Sequence, residues 1–228
     1  MIFQDAVASL NPGRSIGETI AEPLRVIGKI GRKARFGRAR ELMRQVGLDP
    51  DRDFVTLPHE FSGGQCQRIS IARSLIMNPK LLVCDEPVSS LDVSVQAQVL
   101  NLLERMKAHY NLTLLFIFHD LAVVKNISDR VAMMYLGKLY EIADSEDLYR
   151  SPRHPYTAAL LASIPNPHSG RVPSNPTRPG VDIPSPANPP SGCRFHTRCP
   201  RAHNRCIHTQ PDLKEVIPGL QVACHYPL

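Results

Sequence analysis

No apolar run in these 228 residues approaches the roughly 18 to 20 that a membrane span needs. The first five residues, Met1-Ile2-Phe3-Gln4-Asp5, lack the basic start and long apolar segment of a secretion leader. A soluble cytosolic protein is therefore the expectation. Strong charge of either sign is also missing: 27 Lys and Arg against 21 Asp and Glu leave a net +6, a weak argument for nucleic-acid or membrane-surface contact. Between Arg25 and Arg44 stand eight basic residues and one acid, Glu41, which read as a solvated helix face rather than a nucleic-acid patch. The six cysteines include no C-x2-C pair. The length suits one α/β domain with an appendage.

What is present is concentrated in residues 61–92, FSGGQCQRISIARSLIMNPKLLVCDEPVSSLD. Ser62 is a good N-cap, and Gly63 and Gly64 let backbone N–H groups approach a ligand closely. From Gln65 the period is helical, with Ile69, Ala72 and Ile76 on one stripe, until Asn78-Pro79 stops it. The bare amides of such a helix start suit a phosphate. Leu81-Leu82-Val83-Cys84 predicts a short, fully buried strand of a parallel sheet. At its carboxyl end stand Asp85 and Glu86, where open α/β sheets gather ligands. Two adjacent carboxylates there are costly unless a cation or a reacting water is present. Alone, the pair reads as ordinary surface acid; between SGGQ and Ser90-Leu91-Asp92 it does not.

In that order and spacing the run resembles the signature motif, Walker B motif and D-loop of an ATP-binding-cassette (ABC) ATPase. The resemblance implies that Ser62 and Gly64 touch the γ-phosphate of ATP held by a partner subunit, with Gly63 and Gln65 in the same ATP-binding turn. It implies that Asp85 coordinates Mg2+, that Glu86 is the general base and that Asp92 signals across the dimer. Phe61 stands where Leu is usual, Val88 where Thr is common and Ser90 where Ala is; none of these removes a catalytic group.

The rest of the chain extends the likeness. Met1-Ile2-Phe3 is strand-like and Gln4-Asp5 breaks it; beside residues 61–92, Gln4 resembles the Q-loop glutamine that reaches Mg2+ and the attacking water. Ser9-Leu10-Asn11-Pro12 and His154-Pro155-Tyr156 resemble the ATPases of di- and oligopeptide importers, a group that includes nickel uptake systems, although Ala6 replaces the usual Pro. Residues 13–60 predict a helical subdomain, with Ala39, Leu42, Met43 and Val46 on one face and Gly47 as a C-terminal cap. After Asp92, Val95, Val99, Leu102 and Met106 predict an amphipathic helix, and residues 112–118 the next buried strand. His119 closes that strand and resembles the switch histidine of the family, a γ-phosphate sensor. Short strands around Leu136-Gly137 predict a hairpin. No G-x-x-x-x-G-K-[ST] loop occurs, and Gly13-Arg14-Ser15-Ile16-Gly17 has neither its spacing nor its Lys. By the resemblance the chain begins inside the domain, is inactive alone and exposes core that would favour aggregation.

The expected fold is thus α/β, a P-loop NTPase of the ABC type lacking its first strands and Walker A loop. It occupies residues 1–164, followed by a Pro-rich linker over 165–192, with nine prolines in 28 residues, and a Cys-rich extension over 193–228. Cys193, Cys199, Cys206 and Cys224 follow a C-x5-C-x6-C-x17-C spacing unlike zinc ribbons. A reducing cytosol disfavours disulfides. Four thiolates in a Pro-bounded module suit a [4Fe-4S] cluster best, with zinc or reduced structural thiols as alternatives. The resemblance implies MgATP hydrolysis driving peptide uptake, with a second ABC ATPase subunit, two transmembrane permease subunits and an extracytoplasmic solute-binding protein as partners. The chain would then lie in the cytoplasm, peripheral to the inner face of the cell membrane. Two competing expectations are a nickel importer ATPase and a non-enzymatic metal-binding or regulatory module that keeps a cassette remnant.

Overall fold

The computed structural model describes residues 1–28, 30–164 and 182–228. The chain forms two compact units, Met1–His119 and Asp120–Leu228. Most of the expected Pro-rich linker lies outside the described residues.

Among the described residues the first unit packs five α-helices around a small parallel sheet. Helix α1 (Ile16–Ile27) starts at Ser15, whose hydroxyl accepts from the Glu18 N–H, and buries Ile16, Ile20 and Leu24. Helix α2 (Arg32–Gln45) buries Ala39, Leu42 and Met43, as the 3.6-residue period requires. Its end is closed by Gly47 at φ +79° and by Arg68, whose guanidinium donates to the Val46 carbonyl at 2.9 Å. A short α3 (Pro50–Asp53) leads to α4 (Gly63–Leu75), which buries Cys66, Ile69, Ala72 and Leu75. Strand β1 (Leu81–Asp85), helix α5 (Val93–Tyr110) and strand β2 (Thr113–Ile117) complete the unit. β1 and β2 pair in parallel from Leu81↔Thr113 to Asp85↔Ile117. Ile2 bridges Cys84 in parallel along the other edge of β1, so β1 is central to three extended segments.

The two strands are not buried as their composition suggests. Leu82 and Cys84 join the core with α4 and α5, but Leu81, Leu115 and Ile117 are about half exposed. Helices cover one face of this sheet, whereas parallel strands are ordinarily covered on both. An uninterrupted apolar run cannot report which of its faces lacks a neighbour.

The second unit carries α6 (Leu121–Ile127), β3 (Arg130–Tyr135), β4 (Lys138–Asp144), α7 (Ser145–Arg150) and α8 (Pro155–Ala162). The tail adds α9 (Asn204–His208), β5 (Lys214–Ile217) and β6 (Leu220–Val222). The four strands form one antiparallel sheet in the order β3-β4-β6-β5, so the tail completes the β3–β4 hairpin. That hairpin turns on Leu136 and Gly137, both at positive φ, as a tight two-residue connection demands. Beneath it Tyr135, Tyr140, Tyr156 and Phe195 pack ring to ring.

Glu141 is fully buried, and its two carboxylate oxygens accept from the Arg153 and His154 N–H groups at 2.7 and 2.9 Å. It thereby satisfies backbone donors at the start of α8, where negative charge is favoured. His154 itself caps α8, its Nδ1 accepting from the Tyr156 N–H, and burial pushes its imidazole down to about 3.

Cys193, Cys199, Cys206 and Cys224 line one cavity of about 10 Å³, at the lower limit for a single water. Burial raises the Cys193 thiol and takes Cys224 up to about 11. The iron–sulfur expectation finds no support. Among the described residues no group of three or more His, Cys, Asp or Glu is arranged to hold a metal ion, and a four-iron cubane is far larger than this cavity. Cys193, Cys206 and Cys224 stand as unbridged thiols among packed side chains.

Two outcomes follow for stability. A Cβ on Gly17 would come within 2.4 Å of the Phe54 ring, whereas one on Gly37, inside α2, meets nothing within 4 Å. Gly17→Ala should destabilise the chain by about 1 to 3 kcal/mol and Gly37→Ala stabilise it by about 0.5 to 1, read by denaturant unfolding. The second outcome concerns acid. An unfolded His titrates near 6.5, so between there and about 3 the unfolded state takes up a proton that folded His154 refuses, and stability falls with pH. Between pH 7 and 5 the parent should lose about 2 kcal/mol more than His154→Asn, which keeps a capping oxygen but does not titrate. Equal losses would contradict this.

Candidate functional site

The carboxyl end of β1 holds the expected acidic pair. The Asp85 N–H donates to the Ile2 carbonyl and the Glu86 N–H to the Ile117 carbonyl, each at 3.0 Å. Those two bonds tie the strand tip to the segment carrying Gln4 on one side and to the strand preceding His119 on the other. Glu86 stands at φ +42°, the left-handed region, which costs a non-glycine residue on the order of 1 kcal/mol. The backbone is held there by Ser89, whose N–H and hydroxyl both donate to the Glu86 carbonyl.

The Glu86 side chain is the meeting point. Gln4 Nε2 donates to Oε2 at 2.8 Å, and His119 Nδ1 lies 3.0 Å from Oε1. An ionised carboxylate only accepts, so the proton of the second contact lies on Nδ1, leaving Nε2 free. Gln4, Glu86 and His119, up to 115 positions apart in sequence, thus form one hydrogen-bonded group (119 − 4). Gln4 spends its amide N–H on Glu86, which leaves its Oε1 to accept or to ligate. An open cleft beside it, of about 770 Å³, is lined by Gln4, Asp5, Arg73 and Asp85. Hard oxygen donors at such an opening fit Mg2+.

A second group surrounds the first turns of α4 and α5. The Ser62 hydroxyl accepts from the Gln65 N–H, and Gln65 Oε1 accepts from the Ser62 N–H at 2.9 Å, a reciprocal cap. A Cβ on Gly64 would meet Val95 Cγ1 at 2.6 Å, so the glycine lets α4 start against α5. Gly63 faces Leu91 with ordinary space. Asp92 caps α5 by accepting from the Ser94 hydroxyl and the Val95 N–H, and the Ser94 bond, then that amide, hold its carboxyl below the usual range.

Two positioning residues were not visible in the sequence. Arg73, on α4, donates to the Ser9 carbonyl at 2.7 Å and to its hydroxyl at 3.1 Å. Ser74 donates to the Met1 carbonyl at 2.9 Å. Together they fasten the segment bearing Gln4 to α4. Nothing in their spacing signals this, because the partners are backbone carbonyls 64 and 73 residues away.

Comparison with known proteins gives the family. The family model described as "ABC transporter" matches residues 1–89, and "Oligopeptide/dipeptide transporter, C-terminal region" matches residues 140–206. The chain is 56% identical over 224 residues to a putative peptide import ATP-binding protein of Brucella ovis, covering 98% of this chain and 70% of that one. It is 53% identical to a putative oligopeptide transport ATP-binding protein, YkfD, of Bacillus subtilis, covering 99% of this chain and 69% of the relative. With the oligopeptide transport ATP-binding protein OppF of Salmonella typhimurium it shares 54% identity over 94% of this chain and 64% of the relative. Among solved structures it resembles cbiO1 of Clostridium perfringens, part of the ABC transporter complex cbiONQ. That match has TM-score 0.58 and 25% identity, over 65% of this chain and 58% of that one. No helix among the described residues is long and apolar enough to cross a membrane. The chain belongs to the ABC transporter ATPases that carry the oligopeptide/dipeptide transporter C-terminal region.

Proposed function

We propose that this chain is an ATP-binding subunit of an importer of di- or oligopeptides, peripheral to the cytoplasmic face of the membrane. Its partners in this reading are a second ATPase subunit, two permease subunits and an extracytoplasmic solute-binding protein. The observation that carries the reading is the Glu86 carboxylate held between Gln4 and His119 at the tip of β1.

The reaction is in-line attack of water on the γ-phosphorus of ATP, forming one P–O bond and breaking the bond to ADP. Glu86 accepts the proton of that water, and its fixed orientation removes the entropy of finding it. His119, with Nε2 free, offers a polar contact to the terminal phosphate while Nδ1–H holds the base. Gln4 ties the base to the segment beside the cleft, so movement of that segment would move Glu86. Asp85, with the Gln4 carbonyl oxygen, would hold Mg2+, which when bound supplies charge neutralisation at the β- and γ-phosphates. The first turn of α4, with Ser62, Gly63 and Gly64, presents backbone N–H groups to a phosphate held by the partner subunit. Asp92, adjoining that turn through Val95, is placed to couple it to α5.

The sequence holds no G-x-x-x-x-G-K-[ST] loop, so this proposal takes the remaining phosphate contacts from outside these 228 residues. Purified alone, the chain should show only background ATP hydrolysis, identical in Glu86→Gln. In membranes holding the assembled transporter, Glu86→Gln should lower ATP-dependent uptake of a labelled dipeptide by about 100-fold or more. Uptake at the parental rate would refute the role of Glu86. Uptake that fails for dipeptides yet proceeds for another solute would refute the peptide assignment alone.

A further inference from the structure

The arginine-rich stretch that reads in sequence as a solvated face is shaped in the structure into a cleft. Arg14, Arg25, Arg32 and Arg35, with Glu18, Glu22, Ala21 and Phe36, line a cavity of about 180 Å³ between α1 and α2. Its charges do not cancel. Glu22 is shared by Arg14 and Arg25, each in an ion pair with one of its carboxylate oxygens. Arg32 lies with its guanidinium carbon 5.2 Å from the Phe36 ring centroid. Arg35 has its Nε buried and without a hydrogen-bond partner among the described residues.

The wall formed by the first turn of α2 adds an independent cost. Gly31 occupies the N-cap position and supplies no side-chain cap, and the turn contains no acidic residue. In their place stand Arg32, Lys33 and Arg35, although positive charge at a helix start opposes the helix dipole. Two guanidiniums with planar forks, at a helix start that no acidic side chain neutralises, suit an anion with several oxygens.

We propose that this cleft is a binding site for a phosphate group, held by the guanidinium groups of Arg32 and Arg35 beside the first turn of α2, and separate from the Glu86 site. The bridged Glu22 arrangement keeps Arg14 and Arg25 as the far wall, and Phe36 and Ala21 give the cleft an apolar side. A phosphate carried by a small soluble molecule and a phosphate of a lipid headgroup share this chemistry, and the cleft admits either.

The test uses the 228-residue chain with two probes. Inorganic phosphate is titrated calorimetrically, and sedimentation is measured with vesicles of phosphatidylglycerol in phosphatidylcholine against phosphatidylcholine alone. The variants are Arg32→Gln, Arg35→Gln and, as a charge-matched control at the other end of α2, Arg44→Gln, each checked for an unchanged helical spectrum. Binding should weaken about tenfold or more in Arg32→Gln and Arg35→Gln and less than about twofold in Arg44→Gln. Loss with inorganic phosphate assigns a soluble ligand, and loss with the anionic vesicles alone assigns a lipid headgroup. Equal weakening in all three variants would reduce the effect to net charge and overturn the site. So would binding spared by Arg35→Gln but lowered by Ser62→Ala, which would place the phosphate at α4, or no binding of either probe. None of these outcomes bears on Glu86.

Discussion

The parallel pairing of β1 with β2 on one edge and with Ile2 on the other is the constraint on which the site depends. Two backbone bonds, from Asp85 to Ile2 and from Glu86 to Ile117, set the ends of three segments side by side. Gln4 and His119 follow those ends within two residues, so neither needs a long loop to find Glu86. The carboxylate then receives two side-chain contacts at 2.8 and 3.0 Å, and the left-handed backbone of Glu86 is retained because its neighbours over-determine it. Arg73 and Ser74 extend the same logic to the first ten residues by holding two of their carbonyls on α4.

Local features were legible in the sequence because their causes are local. The Ser62 cap, the Ala39–Leu42–Met43 face and the Leu136-Gly137 turn each follow from residues within one or two turns of one another. The meeting of Gln4, Glu86 and His119 was not readable from composition or period. It entered only through resemblance to a family, since residues so far apart in sequence carry no shared local signal. Strand burial departs from the expectation because β1 and β2 have apolar side chains on both faces, while among the described residues helices cover only one. The Glu141 carboxylate is not legible in the sequence for a related reason: an acid in a short strand looks exposed until β6 and the start of α8 close over it.

The cysteines show the opposite error. Four thiols in 36 residues suggest metal chemistry, yet they line a cavity with room for about one water; Cys193, Cys199 and Cys206 lie among Phe195, Tyr140 and Ala223 in one apolar cluster, and Cys224 packs against another. Spacing alone counts possible ligands, whereas packing decides how much space lies between them. The same distinction works in reverse for the α1–α2 arginines, which the sequence dismissed as solvated and the structure arranges around a cleft.

The central claim is that His119 and Gln4 hold one carboxylate, and the proton position in the His119 contact tests it most directly. In the free imidazole of an exposed histidine the Nε2–H tautomer ordinarily prevails, while a bond from Nδ1 to a carboxylate selects the other. Nitrogen-15 spectra of the chain in mildly alkaline solution should show His119 as the Nδ1–H tautomer, reverting to Nε2–H in Glu86→Ala. His119 found as Nε2–H in the parent, indifferent to removal of Glu86, would contradict the account.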